Sequence, residues 1–188
     1  MSNLWFVSDT HWGHANIIKY SSRPYADVQE MNAALIENWN KVVKPNDVVW
    51  HMGDFAFMQY ASFKDVLSQL NGRINVVLGN HDQVITYNRR ELLQEGLLSS
   101  IQNYAEVKAQ GKFIVLFHYG QRVWNKSHRG SIHLYGHSHG SLPPFGLSVD
   151  VGVDSKEITA EYRPVSIDEV VKYMAPRKSE VVDHHGKD

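Results

Sequence analysis

Five short apolar runs in this 188-residue chain each stop abruptly on oxygen or nitrogen donors, and that repetition constrains the fold more than any other feature. The run 74–78 passes straight into Gly79-Asn80-His81-Asp82, and the run 4–7 into Ser8-Asp9-Thr10-His11-Trp12-Gly13-His14. The run 48–50 leads to Met52-Gly53-Asp54, 113–117 to His118, and 132–135 to Gly136-His137-Ser138-His139. A short apolar run bounded by polar residues reads as a buried strand, and in an open α/β sheet the carboxyl ends of such strands line one crevice.

Helical periodicity fills the gaps between the first runs. Val28, Met31, Leu35, Trp39 and Val42 share a face behind a capping pair, Asp27 and Glu30; Tyr60, Phe63, Leu67 and Leu70 form a second buried face. Residues 84–95 read as one helix stopped by Gly96, and Ser166-x-x-Glu169 caps a last helix, 166–174. From Tyr104 onward strands follow one another with a hairpin at Gly111 and no helices between, so the expected class is α/β with mixed sheets. One domain over 1–175 and a polar, mobile tail over 176–188 are expected.

No apolar run approaches the roughly 20 residues of a membrane span, and a cytoplasmic protein with no membrane partner is expected. There is no cysteine, so any metal must sit on His, Asp, Glu or Asn. The net charge of −1 argues against a protein that wraps nucleic acid. Residues 107–149, however, contain no Asp or Glu but carry Lys108, Lys112, Arg122, Lys126 and Arg129, a basic span able to face an anion or to act as a solvated edge.

Asp9, His11, Asp54, Asn80, His118, His137 and His139 supply more donors than one ion accepts, whereas two ions about 3.5–4 Å apart with one bridging ligand use them all. The bridge must be a carboxylate, because a neutral imidazole has a single lone pair to give. Asp9 and His11, two apart in an extended chain, would share a face. Two divalent ions against two aspartates leave about +2, suited to a phosphate ester and an attacking hydroxide between the metals. His81, beside Asn80 and not required as a ligand, is the candidate acid for the leaving group.

In this order, Asp9-x-His11, Gly53-Asp54, Gly79-Asn80-His81-Asp82, His118 and Gly136-His137-x-His139 resemble the calcineurin-like metallophosphoesterases, and the opening block with Ser127-His128-Arg129-Gly130 and Tyr162-Arg163-Pro164-Val165 is similar to their compact bacterial and phage-type branch. The resemblance implies a four-layer α/β/β/α sandwich with two mixed sheets and a dinuclear site at the strand ends. It implies Asp9, His11, Asp54 and His139 on one metal, Asp54, Asn80, His118 and His137 on the other, Asp54 bridging, and His81 as leaving-group acid. Several relatives orient that histidine with an aspartate three residues after the bridge; here Phe57 stands there.

The expected activity is phosphoester hydrolysis, a phosphodiesterase in the first instance, on a small phosphate ester, with Mn²⁺ favoured and Fe, Zn²⁺, Co²⁺ or Ni²⁺ able to use the same donors. The alternatives are a nuclease acting on short or single-stranded nucleic acid and a non-catalytic metal-binding scaffold. His14, Arg122, His128 and Arg129 are the candidate substrate contacts, since Arg grips phosphate bidentately. Trp12 and Trp124 read first as core, His51 and His133 as strand histidines, and Asp150 and Asp154 as structural residues with no ligand histidine near them. His184 and His185 in the tail offer at most adventitious metal binding. Oligomeric state is left open by these residues.

Overall fold

β1 (Leu4–Val7) turns Trp5 and Val7 into one apolar cluster and Phe6 into another, the period-two alternation of a strand buried on both faces. It pairs in parallel with β2 (Val48–His51), which pairs with β3 (Arg73–Val77) and that with β4 (Ser100–Gln102). The two-residue β9 (Val165–Ser166) closes the other edge antiparallel to β1, giving the order β4-β3-β2-β1-β9. The computed structural model describes residues 2–158 and 161–186.

Helices make the crossovers that parallel pairing requires. α1 (Ala15–Tyr20) and α2 (Val28–Val42) lie between β1 and β2, α3 (Tyr60–Gln69) between β2 and β3, and α4 (Gln83–Tyr87) and α5 (Arg89–Gln94) between β3 and β4. Met31, Leu35 and Trp39 of α2, Phe63, Val66 and Leu67 of α3, Ile85 and Leu92 pack with Trp5, Val7, Val49 and Val76. The buried carboxylate of Asp47 ties the start of this layer, accepting the Trp5 indole N–H and the backbone N–H groups of Asn3 and Lys44.

The second sheet has the order β5-β6-β7-β8. β5 (Ala105–Ala109) and β6 (Lys112–Leu116) form a hairpin about Gln110 and Gly111, both at positive φ, and β7 (Ile132–Tyr135) and β8 (Ser148–Asp150) continue in parallel. Ile114, Leu116, Leu134 and Val149 of this sheet meet Phe6, Met52 and Val77 of the first in the inter-sheet core, which α6 (Ile167–Met174) joins through Ile167, Val170 and Met174. This is the expected α/β sandwich with two mixed sheets. The segment 119–131, with the 3-10 turn Ser127–Arg129, covers His133 on the face of the second sheet away from that core.

Three details differ from the sequence expectation. Residues 84–95 form two short helices, because Asn88 leaves the helical conformation (φ −109°, ψ 18°) while its side-chain amide donates to the Val84 carbonyl. β4, β9 and α1 went unread, being too short to show a period. Asp27 caps α2 as expected, accepting the Glu30 N–H, but the returning bond of the Glu30 carboxylate goes to the Ala26 N–H, one residue before the cap. The Ser166–Glu169 capping box forms in full. After α6 the chain runs beside Gly146 at Glu180 and stacks His185 on His128. Among the described residues no helix is long and apolar enough to cross a membrane.

Candidate metal centre

All five strand-end blocks converge beyond the carboxyl ends of β1, β2, β3, β6 and β7. Asp9, His11 and His139 bring one donor atom each within 4.8 Å of one another, and Asp54, His118 and His137 do the same beside them. Asp54 stands between the groups, with Oδ2 3.6 Å from His11 Nε2 and Oδ1 3.5 Å from His118 Nε2. Asn80 places Oδ1 3.1 Å from His118 Nε2, completing the second group.

The backbone reaches this arrangement through an unusual conformation. Asp9, His11, Asp54, His137 and His139 all have positive φ, between 47° and 66°. Left-handed backbone at residues other than glycine is uncommon, and sparsely populated conformations cost on the order of 1–3 kcal/mol each, persisting where surrounding contacts impose them. The extended geometry expected for Asp9 and His11 is therefore wrong. Their side chains converge because each residue turns the chain over. Glycines admit the close approach: a Cβ at Gly79 would lie 2.3 Å from Asp54 Oδ1, and one at Gly136 1.9 Å from Ser8 Oγ.

Hydrogen bonds hold these turns. The Asp9 carboxylate accepts the His137 N–H, and Asp54 Oδ1 accepts the His81 N–H. Asp82 is buried and accepts the N–H groups of Asp54, Phe55 and Gly79, bracing the two central loops as a clamp. His118 Nδ1 donates to the Met52 carbonyl (2.7 Å) and His139 Nδ1 to Asp154 Oδ2 (2.7 Å), so each imidazole turns Nε2 toward its cluster. Asp154 is itself held by a buried Arg23, which forks onto both of its oxygens and donates to the carbonyls of Asp9 and Thr10.

The electrostatics favour a cation. Burial pushes the Asp9 carboxyl up to about 7, with His139 and His118 pulling the other way. Burial also opposes the Asp54 carboxylate, but the hydrogen bond and charge of His118, the His81 N–H and His11 outweigh it and hold its pKa well below the usual range. Burial pushes His11 down to about 3, leaving it a neutral donor whose buried Nε2 has no hydrogen-bond partner among the described residues. His118 is raised to about 9, because Asp54 and Asp9 overcome its desolvation. A site that draws a proton onto one histidine and leaves another with an unpaired lone pair has the donor chemistry of a divalent-ion site.

A cavity of about 510 Å³ opens onto the clusters, lined by His11, Asp54, His137 and His139 and also by His14, Ile17, Tyr20, Ser21, His81, Ser138 and Ser141. Of the predicted substrate contacts only His14 lines it. Arg122 lies over the Phe145 ring, His128 stacks on His185, and Arg129 sits near Lys112 and Met174. The physical reason is topological: β6 and β7 are parallel, so the loop leaving the carboxyl end of β6 must carry Arg129 back to the opposite end before β7 begins. Trp12 and Trp124 are core residues. Arg23 and Asp154 went unrecognised as site residues, and the reading of Asp154 as remote from the histidines is overturned by its contact with His139. The visible signal was the alternation ending at Asp154; nothing local marked Arg23. Tyr119 was also missed; its hydroxyl donates to Asn80 and its ring abuts His118 and His137. Asp183, His184 and His185 form a separate group in the tail, its two histidines exposed.

Residues 3–144 match the model of the calcineurin-like phosphoesterase superfamily domain, and the chain belongs to that superfamily of metal-dependent hydrolases acting on phosphate esters. The chain is 32% identical over 187 residues to an uncharacterized protein of Methanocaldococcus jannaschii, covering 95% of this chain and 94% of that one. It is 29% identical over 164 residues to the Gene 66 protein of Mycobacterium phage D29, covering 76% and 81% respectively. A protein of unknown function from Aquifex aeolicus, AQ665, shares the fold, with a TM-score of 0.69 at 23% identity over 92% of this chain and 99% of that one.

Proposed function

We propose that the chain is a phosphodiesterase that uses two divalent ions, one held by Asp9, His11, Asp54 and His139 and the other by Asp54, Asn80, His118 and His137. The observation that carries this reading is Asp54, whose two carboxylate oxygens face one histidine of each group at 3.6 and 3.5 Å. Mn²⁺ is the first ion to test, with Fe, Zn²⁺, Co²⁺ and Ni²⁺ compatible with the same donors. When bound, the ions supply Lewis-acid charge to phosphoryl oxygens and make water more acidic.

The chain's own residues do the rest. Asp154 and Arg23 aim His139, the Met52 carbonyl aims His118, and Asp82 fixes the turn from which His81 projects. His81 stands at the cavity wall, its ring 5.8 Å from that of His11, where it can hand a proton to the departing ester oxygen. Where relatives place an orienting carboxylate stands Phe57, whose ring packs against that of His81 with centroids 5.7 Å apart and planes at 64°. Among the described residues no lysine or arginine lines the cavity, which suits a singly charged diester better than a phosphate dianion or a nucleic-acid strand.

Metal-stripped protein should hydrolyse bis(p-nitrophenyl) phosphate only after a divalent ion is restored. Activity without metal, or none with any of the five ions, sinks the reading. His81→Asn should retain both ions and lose activity by about 10²–10⁴-fold, most on the poorest leaving groups; an equal loss across a leaving-group series removes His81 from the acid role.

A further inference from the structure

We propose that the cavity contains a subsite for a flat aromatic ring carried by the leaving group, with Phe57, Tyr20 and His14 as its walls. The inference rests on the reading of His81 as the residue facing the departing oxygen. Phe57 is 50% exposed and Tyr20 74% exposed, although both are large rings; Tyr20 lines the metal-side cavity, and Phe57 adjoins it through its contacts with the lining residues His14 and His81. The His14 ring joins them, stacked on Phe57 at 4.9 Å and edge-on to Tyr20 at 6.3 Å, with Ile17 lining the cavity beside them. Contiguous exposed aromatic surface beside a cavity marks a binding face, and aromatic rings prefer such offset and edge-on neighbours.

This wall is held firmly. His11 and Trp12 donate to the carbonyls of Asp54 and Phe55, and the Phe57 N–H returns to the Trp12 carbonyl, so the loops carrying His14 and Phe57 are zipped together. Gly13 lies so close to the other loop that a Cβ there would meet Met58 Cε at 2.8 Å and the Phe57 carbonyl at 2.9 Å. The rest of the lining is different: Ser138, Ser141 and His137 offer hydroxyls and an imidazole. His81 touches the edge of Phe57, so a group receiving its proton carries its substituent onto the aromatic wall, leaving the other ester substituent to the polar side.

The test uses methyl phosphodiesters in pairs: phenyl against a non-aromatic ester of matched leaving-group acidity, and adenosine 5′ against the ribose 5′ ester lacking the base. In parallel, calorimetry compares phenylphosphonate with cyclohexylphosphonate on the metal-loaded protein. At least one aromatic ester should be preferred in kcat/KM, and phenylphosphonate in affinity, by about three- to tenfold, and Phe57→Leu and Tyr20→Ala should bring both ratios toward one. Ratios of one in the native protein, or ratios unchanged in the variants, overturn the aromatic subsite while hydrolysis of the esters leaves the phosphodiesterase reading standing. Phenylphosphonate preferred in binding with no ester hydrolysed by any metal form supports the subsite and overturns the phosphodiesterase reading instead.

Discussion

Two polar stretches flank the strands of this molecule, and they stand in opposite relation to the cavity. The blocks after β1, β2, β3, β6 and β7 turn sharply at the carboxyl ends and crowd their side chains together. The basic segment 119–131 begins at the same rim, but it descends the outer face of the second sheet and delivers His128 and Arg129 to the far end. By residue type the second stretch is the better phosphate binder. The difference teaches that the end of the sheet at which a loop arrives, set by strand direction, outweighs its composition.

The comparison breaks most readily at Asp54. Asp54→Asn removes the charge that faces both groups, and the protein should retain one ion or fewer and lose activity by about 10³-fold or more. Elemental analysis with steady-state kinetics decides it, and two retained ions would mean that the groups are held independently of Asp54.

Next in size is the behaviour of two buried histidines, His118 just beyond the end of β6 and His133 within the neighbouring β7. His118 is raised to about 9 despite its desolvation, whereas burial pushes His133 down to about 4 even though the Val115 and Tyr119 carbonyls face its ring nitrogens. Between pH 6.5 and 9 the folded, metal-free protein holds a proton on His118 that the unfolded chain has lost. Stability from this group is thus complete below about pH 6.5 and disappears as pH rises through 9, on the order of 3 kcal/mol in all. Thermal unfolding in chelator should show Tm falling over that window, and His118→Gln should flatten the slope while His133→Gln does not. Added divalent ion should reverse the trend, because it requires the neutral imidazole. A Tm that rises with pH in chelator contradicts the assignment.

A smaller change tests the support behind the histidines. Asp154→Asn keeps the shape but weakens the acceptor for His139 Nδ1–H, and metal affinity should fall by about 10–100-fold. Titration with Mn²⁺ should show the loss in one of two binding phases only; equal weakening of both would make Asp154 a general brace.

Much of this was legible because it is local. An apolar run ending on Gly-Asn-His-Asp or Gly-His-Ser-His announces both the strand and the donors it delivers, and the order of the blocks carries the family. What escaped the sequence is long-range. Arg23 is 131 positions from the Asp154 carboxylate it grips, and a serine- and proline-flanked arginine looks like any loop residue. The left-handed turns at Asp9 and His11 are imposed by backbone contacts with Gly53 and Asp54, which the alternation of residue types cannot display.

The smallest expected effect concerns the residues that composition favoured most. Arg122 spends its guanidinium on the Phe145 ring and Arg129 lies at the opposite end of the sheet, so Arg122→Ala and Arg129→Ala should leave KM within about twofold of the native value. Phe57→Leu, beside the cavity residues His14 and His81, should move it further for aromatic esters. A tenfold rise in KM for either arginine variant, with Tm unchanged, would require the 119–131 segment to swing over the cavity during turnover, and the division between the two stretches would then hold only for the resting enzyme.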